Sequence, residues 1–185
     1  EQLVDIIGGR FAFFLWDKGR QTALLACDRL GQMPVYWAKG PGQTLLFGQT
    51  ATAVARMLPG RPAISSQGIY NYLYFHMVPG PGTIFEGINK LMAGHMLRWH
   101  AGQWTIKRYW TPTFGEHDEK SLAEAGEEML GLLSSSVARL AEGRDSSAFL
   151  SGGLDSSTVA GLLARHRQRP RTYSIGFDAE GYNEI

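Results

Sequence analysis

The sequence predicts an α+β domain followed by an α/β domain, each present in part. Three observations lead there. The first hundred residues alternate short aromatic and β-branched runs with turn signals, which is the pattern of antiparallel strands. Thr111-Pro112-Thr113-Phe114-Gly115 then reads as a linker. Beyond it come a long amphipathic helix and a strand, glycine-rich turn, helix, strand order, which implies a parallel sheet with a right-handed crossover. The boundary falls between residues 112 and 113, giving domains of 1–112 and 113–185.

Taken in order, Arg10–Trp16 and Thr22–Asp28 are predicted strands joined by Asp17-Lys18-Gly19-Arg20, a hairpin signal. Val35–Lys39 and Leu45–Gly48 flank the turn Gly40-Pro41-Gly42. Ala51–Met57 reads as a helix ended by Pro59-Gly60. Ser65-Ser66 caps a second helix over Gln67–Phe75, whose Ile69, Tyr70, Leu73 and Tyr74 are spaced as a core face. Pro79-Gly80-Pro81-Gly82 is a loop, and Gly94–Trp99 with Trp104–Tyr109 forms a last hairpin. In the second domain, Ser121 with Glu124 forms a capping box for a helix whose apolar stripe is Leu122, Met129, Leu133, Val137 and Leu140. Ser147–Leu150 is a strand, a helix runs from about Ser156 to Arg167, and Arg171–Phe177 is a second, buried strand.

Composition narrows the function classes. Of the 185 residues, 44% are hydrophobic and 19% charged, the balance of a packed globular chain rather than a disordered one. A net charge of +1 gives no polyanion-binding surface, so no nucleic-acid partner is expected. Cys27 is the one cysteine, which excludes an internal disulfide and fits a reducing, cytoplasmic setting. The longest apolar run, Phe11 to Trp16, is far too short to span a bilayer, and no membrane partner is expected. The chain opens on Glu1 and ends mid-pattern at Ile185, so it is read as an internal fragment of a longer protein.

The chemistry concentrates in Ser151-Gly152-Gly153-Leu154-Asp155-Ser156-Ser157, between the apolar run Ala148-Phe149-Leu150 and the helix that follows. A glycine-rich turn entering a helix converges free backbone N–H groups on one spot, and the helix dipole favours negative charge there. The three serines add hydroxyls. The loop has no lysine, so it is not the Gly-x-x-x-x-Gly-Lys-Ser/Thr loop of γ-phosphoryl chemistry. A carboxylate beside phosphate oxygens suits Mg²⁺, a hard cation, which makes Asp155 the candidate metal ligand. The plainer reading is a tight turn with an Asp helix cap, worth about 1 kcal/mol.

Ser-Gly-Gly-x-Asp-Ser resembles the loop of the PP-loop ATP pyrophosphatases, which split ATP between its α- and β-phosphates. With the upstream segments in order, the chain resembles the glutamine-dependent asparagine synthetases along nearly all of its length. Gly9–Asp17 is similar to that family's Gly-x-Phe-Ala-Phe-x-x-Tyr/Trp-Asp run. Asp28-Arg29-Leu30-Gly31 with Pro34-Val35-Tyr36 is similar to its Arg-Asp-x-x-Gly-x-x-Pro-Leu-Tyr segment. Thr83–Ile88 with Leu91, Gly94 and His95 is similar to the segment joining its two domains, and Tyr109-Trp110 to the strand that closes it. Tyr173–Phe177 with Tyr182-Asn183-Glu184 resembles the strand and acidic turn after the loop.

The resemblance implies an N-terminal-nucleophile glutaminase domain followed by an α/β PP-loop adenine-nucleotide-binding domain. It implies ATP and Mg²⁺ as cofactors, and aspartate, glutamine and ATP as small-molecule substrates. Asparagine would form through a β-aspartyl-AMP intermediate, with AMP and pyrophosphate released. Ser151, Gly152, Gly153, Asp155, Ser156 and Ser157 would bind the pyrophosphate half of ATP, with Asp155 on Mg²⁺ and with Asp155 and Ser151 as catalytic residues. Leu150 and Ile175, at the C-terminal ends of adjacent strands where α/β sheets bind ligands, would touch adenine through their main chain. Glu184 stands equally as a residue near the nucleotide or as a solvated turn. A homodimer is compatible with the resemblance.

Cys27 is read as a small core hydrophobe, since no cationic cluster marks it as a thiolate. The family often has arginine there, and Gly48-Gln49-Thr50 departs from its usual Ala-Ser-Glu. His76, His95, His100, His117 and His166 lack metal-ligand spacing. Two alternatives stay open. One is an AMP-forming enzyme that closes an amide within a single substrate, such as a β-lactam synthetase or lasso-peptide cyclase, with an inactive glutaminase half. The other is a non-catalytic nucleotide binder.

Overall fold

Thr22–Cys27 sets up the first half of the molecule, because Ala23 to Cys27 are all buried and serve both faces of one strand. The computed structural model describes residues 2–115 and 120–176, and the chain divides into two compact units, residues 1–114 and 115–185. In the first unit a short helix α1 (Leu3–Ile6) precedes strands β1 (Ala12–Asp17), β2 (Thr22–Cys27), β3 (Tyr36–Lys39) and β4 (Leu45–Gly48). Helices α2 (Ala51–Met57) and α3 (Ser66–Phe75) follow, then β5 (Ile88–Lys90), β6 (His95–His100) and β7 (Gln103–Arg108). Two antiparallel sheets result, ordered β1-β2-β6-β7 and β4-β3-β5.

Strand alternation decides what each face of β2 touches. Leu25 and Cys27, with Leu97 of β6, pack against Val35, Trp37 and Leu91. Leu24 and Ala26, with Met96, pack on the other face against Val4 of α1 and the partly buried Phe11, Phe13 and Tyr109. Burying a side chain of this size contributes roughly 1.5–3 kcal/mol, so β2 is the main anchor of the unit. A third cluster joins Ala38 and Ile88 to Val54 of α2. The hairpins, α2 and α3 sit where the sequence places them. α1 and β5 do not register in the sequence, because four and three residues are too few to show a period.

The expected core face of α3 is corrected. Ile69, Tyr70, Leu73 and Tyr74 are exposed, and the buried residue of the helix is Gly68. A Cβ on Gly68 would lie 2.9 Å from the Thr83 carbonyl oxygen and 3.2 Å from the Ile84 Cα. The helix therefore meets residues 83–84 backbone to backbone, and the smallest residue faces that contact in place of the apolar stripe.

The second unit holds α4 (Leu122–Ala141), β8 (Ala148–Phe149), α5 (Leu154–His166) and β9 (Thr172–Tyr173). The capping box is present: Ser121 Oγ accepts from the Glu124 N–H at 3.2 Å, and Glu124 Oε2 accepts from the Ser121 N–H at 2.8 Å. β8 and β9 pair in parallel, Ala148 opposite Thr172 and Phe149 opposite Tyr173. Ala141, Ala148, Ala160 and Leu163 form the core with Val137 and Leu150 beside them. Two expectations change. Leu122, Met129, Leu133 and Leu140 are exposed, because α5 and β8 cover α4 only around Val137 and Ala141. β9 is exposed rather than buried and spans two residues, since no described element covers it. Phe177, Glu184 and His117 lie outside the described residues. Among the described residues, no helix is long and apolar enough to cross a membrane.

Candidate functional site

The loop from Ser151 to Gly153 makes its turn at Gly152, whose φ of +78° lies in the left-handed region that side chains rarely adopt. Gly153, at φ −75° and ψ 160°, is the N-cap of α5, so the helix starts at Leu154 rather than near Ser156. No side chain caps it. The first helical amides, Leu154, Asp155 and Ser156, cannot bond within the helix, which leaves a cluster of N–H donors at its positive end. The plainer reading of Asp155 as a cap is thereby set aside. Asp155 sits in the first turn, exposed, and its carboxylate has no hydrogen-bond or ion-pair partner among the described residues.

The three serines differ. Ser156 Oγ accepts from the Ser151 N–H at 3.2 Å, lies 3.1 Å from Ser151 Oγ, and donates to the Gly153 carbonyl at 3.1 Å. It is half-buried, while Ser151 and Ser157 are exposed. The Ser157 hydroxyl has no partner among the described residues. Beside the loop lies a cleft of about 490 Å³ whose lining includes Val137, Leu140, Phe149, Val159, Asp155 and Ser156.

Leu150 and Ile175 follow β8 and β9 at the same sheet edge. The Leu150 N–H donates to the Tyr173 carbonyl at 2.8 Å, and its carbonyl accepts from Ser174 Oγ at 2.6 Å. Both backbone groups of Leu150 are thus engaged, and its carbonyl keeps one lone pair for a ligand. Ile175 is exposed beyond the end of β9. The sequence reading passed over Ser174, although a serine just after a strand is a signal for a local bond of this kind. Among the described residues, no group of three His, Cys, Asp or Glu could hold a metal ion.

In the first unit, Cys27 is fully buried and its Sγ donates to the Met92 carbonyl at 3.1 Å. Burial pushes the thiol up, as suits an inert core residue. Asp28 is a structural feature that the sequence reading passed over. Its carboxylate accepts from the N–H groups of Leu30, Gln32 and Met33 at 3.1, 3.0 and 2.9 Å, and so shapes the turn after β2. Burial alone would raise this carboxyl, but the three N–H groups outweigh it and hold it below the usual carboxylate range. An Asp two residues before a turn is the available sequence cue. Tyr109 donates its hydroxyl to the Cys27 carbonyl at 2.6 Å, and burial pushes its pKa up to about 12. The described histidines act locally: His95 bonds Ala93, His100 bonds Thr22, His166 bonds Ser134 and His76 closes α3.

The family model described as glutamine amidotransferase domain matches residues 1–110, and the one described as asparagine synthase matches residues 128–185. The chain belongs to the glutamine-hydrolysing asparagine synthetase family. A putative asparagine synthetase of Mycobacterium tuberculosis strain H37Rv is 30% identical over 195 residues, covering 100% of this chain and 29% of that protein. Asparagine synthetase 3 of Bacillus subtilis is 31% identical over 185 residues, covering 96% of this chain and 30% of that protein. An amidase of Gibberella zeae is 29% identical over 166 residues, covering 87% of this chain and 24% of that protein. The chain thus spans under a third of the length of these curated relatives. Every candidate loop residue falls inside the asparagine synthase match, and Cys27, Asp28 and Tyr109 fall inside the amidotransferase match.

Proposed function

We propose that this chain is part of an ATP-dependent amidotransferase that makes asparagine from aspartate and glutamine. Residues 1–112 belong to its N-terminal-nucleophile glutaminase domain and residues 113–185 to its PP-loop synthetase domain. The observation that carries the reading is the Ser151–Ser157 loop at an uncapped helix start, in a chain of this family. Aspartate, glutamine, ATP and water give asparagine, glutamate, AMP and pyrophosphate, through a β-aspartyl-AMP intermediate.

The residues fit a magnesium-bound nucleotide. The amides of Leu154, Asp155 and Ser156 stand without side-chain caps, and Gly152 and Gly153 leave no Cβ to obstruct an anion. Magnesium, when bound, screens the charge of the phosphate oxygens. Asp155 would hold that ion, and Ser151, Gly152, Gly153, Ser156 and Ser157 would frame the pyrophosphate. These donors are fixed before substrate arrives, so they can stabilise charge on the departing pyrophosphate without reorganisation. Leu150 and Ile175 would position the adenine. A second reading is an AMP-forming enzyme that closes an amide within one substrate, with an inactive glutaminase half; the fungal relatives named amidases speak for amide chemistry alone. Product analysis of the full-length protein tests the scheme: AMP and pyrophosphate should form in step with asparagine, and ADP with phosphate would overturn it.

A further inference from the structure

We propose that the groove at the C-terminal end of α5 binds the phosphate group of a small molecule, through Arg139, Arg167, Arg169 and Arg171. Residues 139–171 hold six arginines and no lysine, a local charge that the net +1 of the whole chain conceals. Four of the six face two adjoining clefts of about 370 and 530 Å³. Arg167, Arg169 and Arg171 line the smaller cleft and Arg139 and Arg167 the larger, so the half-buried Arg167 joins them. Asp145 and Glu142 are the acidic residues of the lining, which leaves a formal surplus of two positive charges, histidine aside. Clefts of this order suit a small ligand, and a phosphate monoester carries close to two negative charges at neutral pH. The Ser151–Ser157 loop lies at the other end of the 13-residue helix, roughly 20 Å away at the usual rise per residue.

Asp145 shows how these arginines take an oxyanion. Its Oδ1 accepts from Arg167 Nη1 at 3.1 Å, and its Oδ2 accepts from Arg171 Nη2 at 3.0 Å. One two-oxygen group is spanned by two guanidiniums, and each keeps the rest of its five N–H donors. The side chains of Arg139 and Arg169 have no hydrogen bond or ion pair among the described residues. The planar guanidinium pairs with phosphate oxygens two at a time, where lysine offers only a point charge. The helix dipole accounts for Arg139 in the last turn of α4, but not for Arg169 and Arg171, which lie beyond the end of α5. Nor does the turn account for Arg169, whose φ of +54° is a conformation that glycine adopts at less cost. A polymer such as nucleic acid would need a stripe of basic residues, whereas these four share two small clefts.

The test is equilibrium dialysis of radiolabelled inorganic phosphate against the full-length protein, without magnesium or nucleotide and at constant ionic strength. Arg139→Ala should weaken phosphate about twofold to fivefold, the range of one exposed ion pair. Arg169→Gly should weaken it as much with no loss of thermal stability, because glycine suits the turn. Gly153→Ser, at the loop, should leave phosphate binding unchanged. Wild-type protein that binds no phosphate would overturn the proposal. So would phosphate binding that answers to Gly153→Ser and not to Arg169→Gly, which would place the anion at the loop. Acetate that competes as well as phosphate would make the groove a carboxylate site, and an oligonucleotide that displaces phosphate at far lower phosphate concentration would give it to a polymer; either result overturns the assignment. The groove stands apart from the nucleotide reading of the loop, and its failure would leave that reading intact.

Discussion

The starts of α4 and α5 are built from the same residue types, a serine and a carboxylate, and are finished in opposite ways. At α4, Ser121 and Glu124 close on each other, and the bonds from Ser121 hold the Glu124 carboxyl below its ordinary value. At α5 the cap is Gly153, Ser156 is turned into the loop, and Asp155 is left open. The first arrangement satisfies the helix and leaves nothing for a ligand. The second, with glycine as the cap, forgoes a side-chain cap worth about a few tenths of a kcal/mol and keeps donors and a carboxylate available. Among the described helices, α2, α3 and α4 are capped by Thr50, Ser65 and Ser121, whereas α5, like the short α1, starts without a side-chain cap.

The largest expected effect comes from Asp155→Ala. In the full-length protein it should abolish pyrophosphate release and spare glutamine hydrolysis, followed as glutamate formed. Unchanged synthesis would remove the metal role of Asp155. Next is Asp28→Asn, which takes a charge from a buried carboxylate satisfied by three N–H groups and should cost about 1–3 kcal/mol in urea unfolding. Because the folded pKa of Asp28 is lowered, its contribution is complete above the unfolded value of roughly 3.9 and is lost as pH falls through the folded value. Wild-type protein should thus lose stability in acid below about pH 4, and Asp28→Asn should flatten that limb.

The two helix starts can be set directly against each other. Ser121→Ala should cost about 1 kcal/mol of stability and leave pyrophosphate release at saturating ATP unchanged. Gly153→Ser should do the reverse. Its φ of −75° tolerates a side chain, and the nearest atom to a new Cβ is Ser151 Oγ at 3.6 Å. A hydroxyl there should raise stability by about a few tenths of a kcal/mol and weaken ATP binding. If Gly153→Ser left ATP affinity intact, the contrast between the helices would lose its meaning.

Elements with a strong local signal were legible in the sequence. Hairpin turns, the capping box of α4 and the loop itself are specified by residues within a few positions of one another. What depended on distant packing was not. Gly68 of α3 faces Thr83 and Ile84, fifteen and sixteen residues away, so its apolar stripe was assigned to a core it does not enter. The stripe of α4 is legible in the sequence, but which part of it is covered is not, since only Val137 and Ala141 meet the described core. Within the site, the residue types and their order were readable. The different bonding of Ser151, Ser156 and Ser157 was not, because it depends on where one hydroxyl proton goes.

The most direct test is pyrophosphate release by the full-length protein with ATP and Mg²⁺, with and without aspartate, and with glutamine or ammonia as nitrogen source. The account predicts release that requires aspartate, yields asparagine and runs on either nitrogen source. Release that ignores aspartate and nitrogen source but answers to another carboxylic acid would contradict it, and would assign the chain to an amide synthetase that works within one substrate.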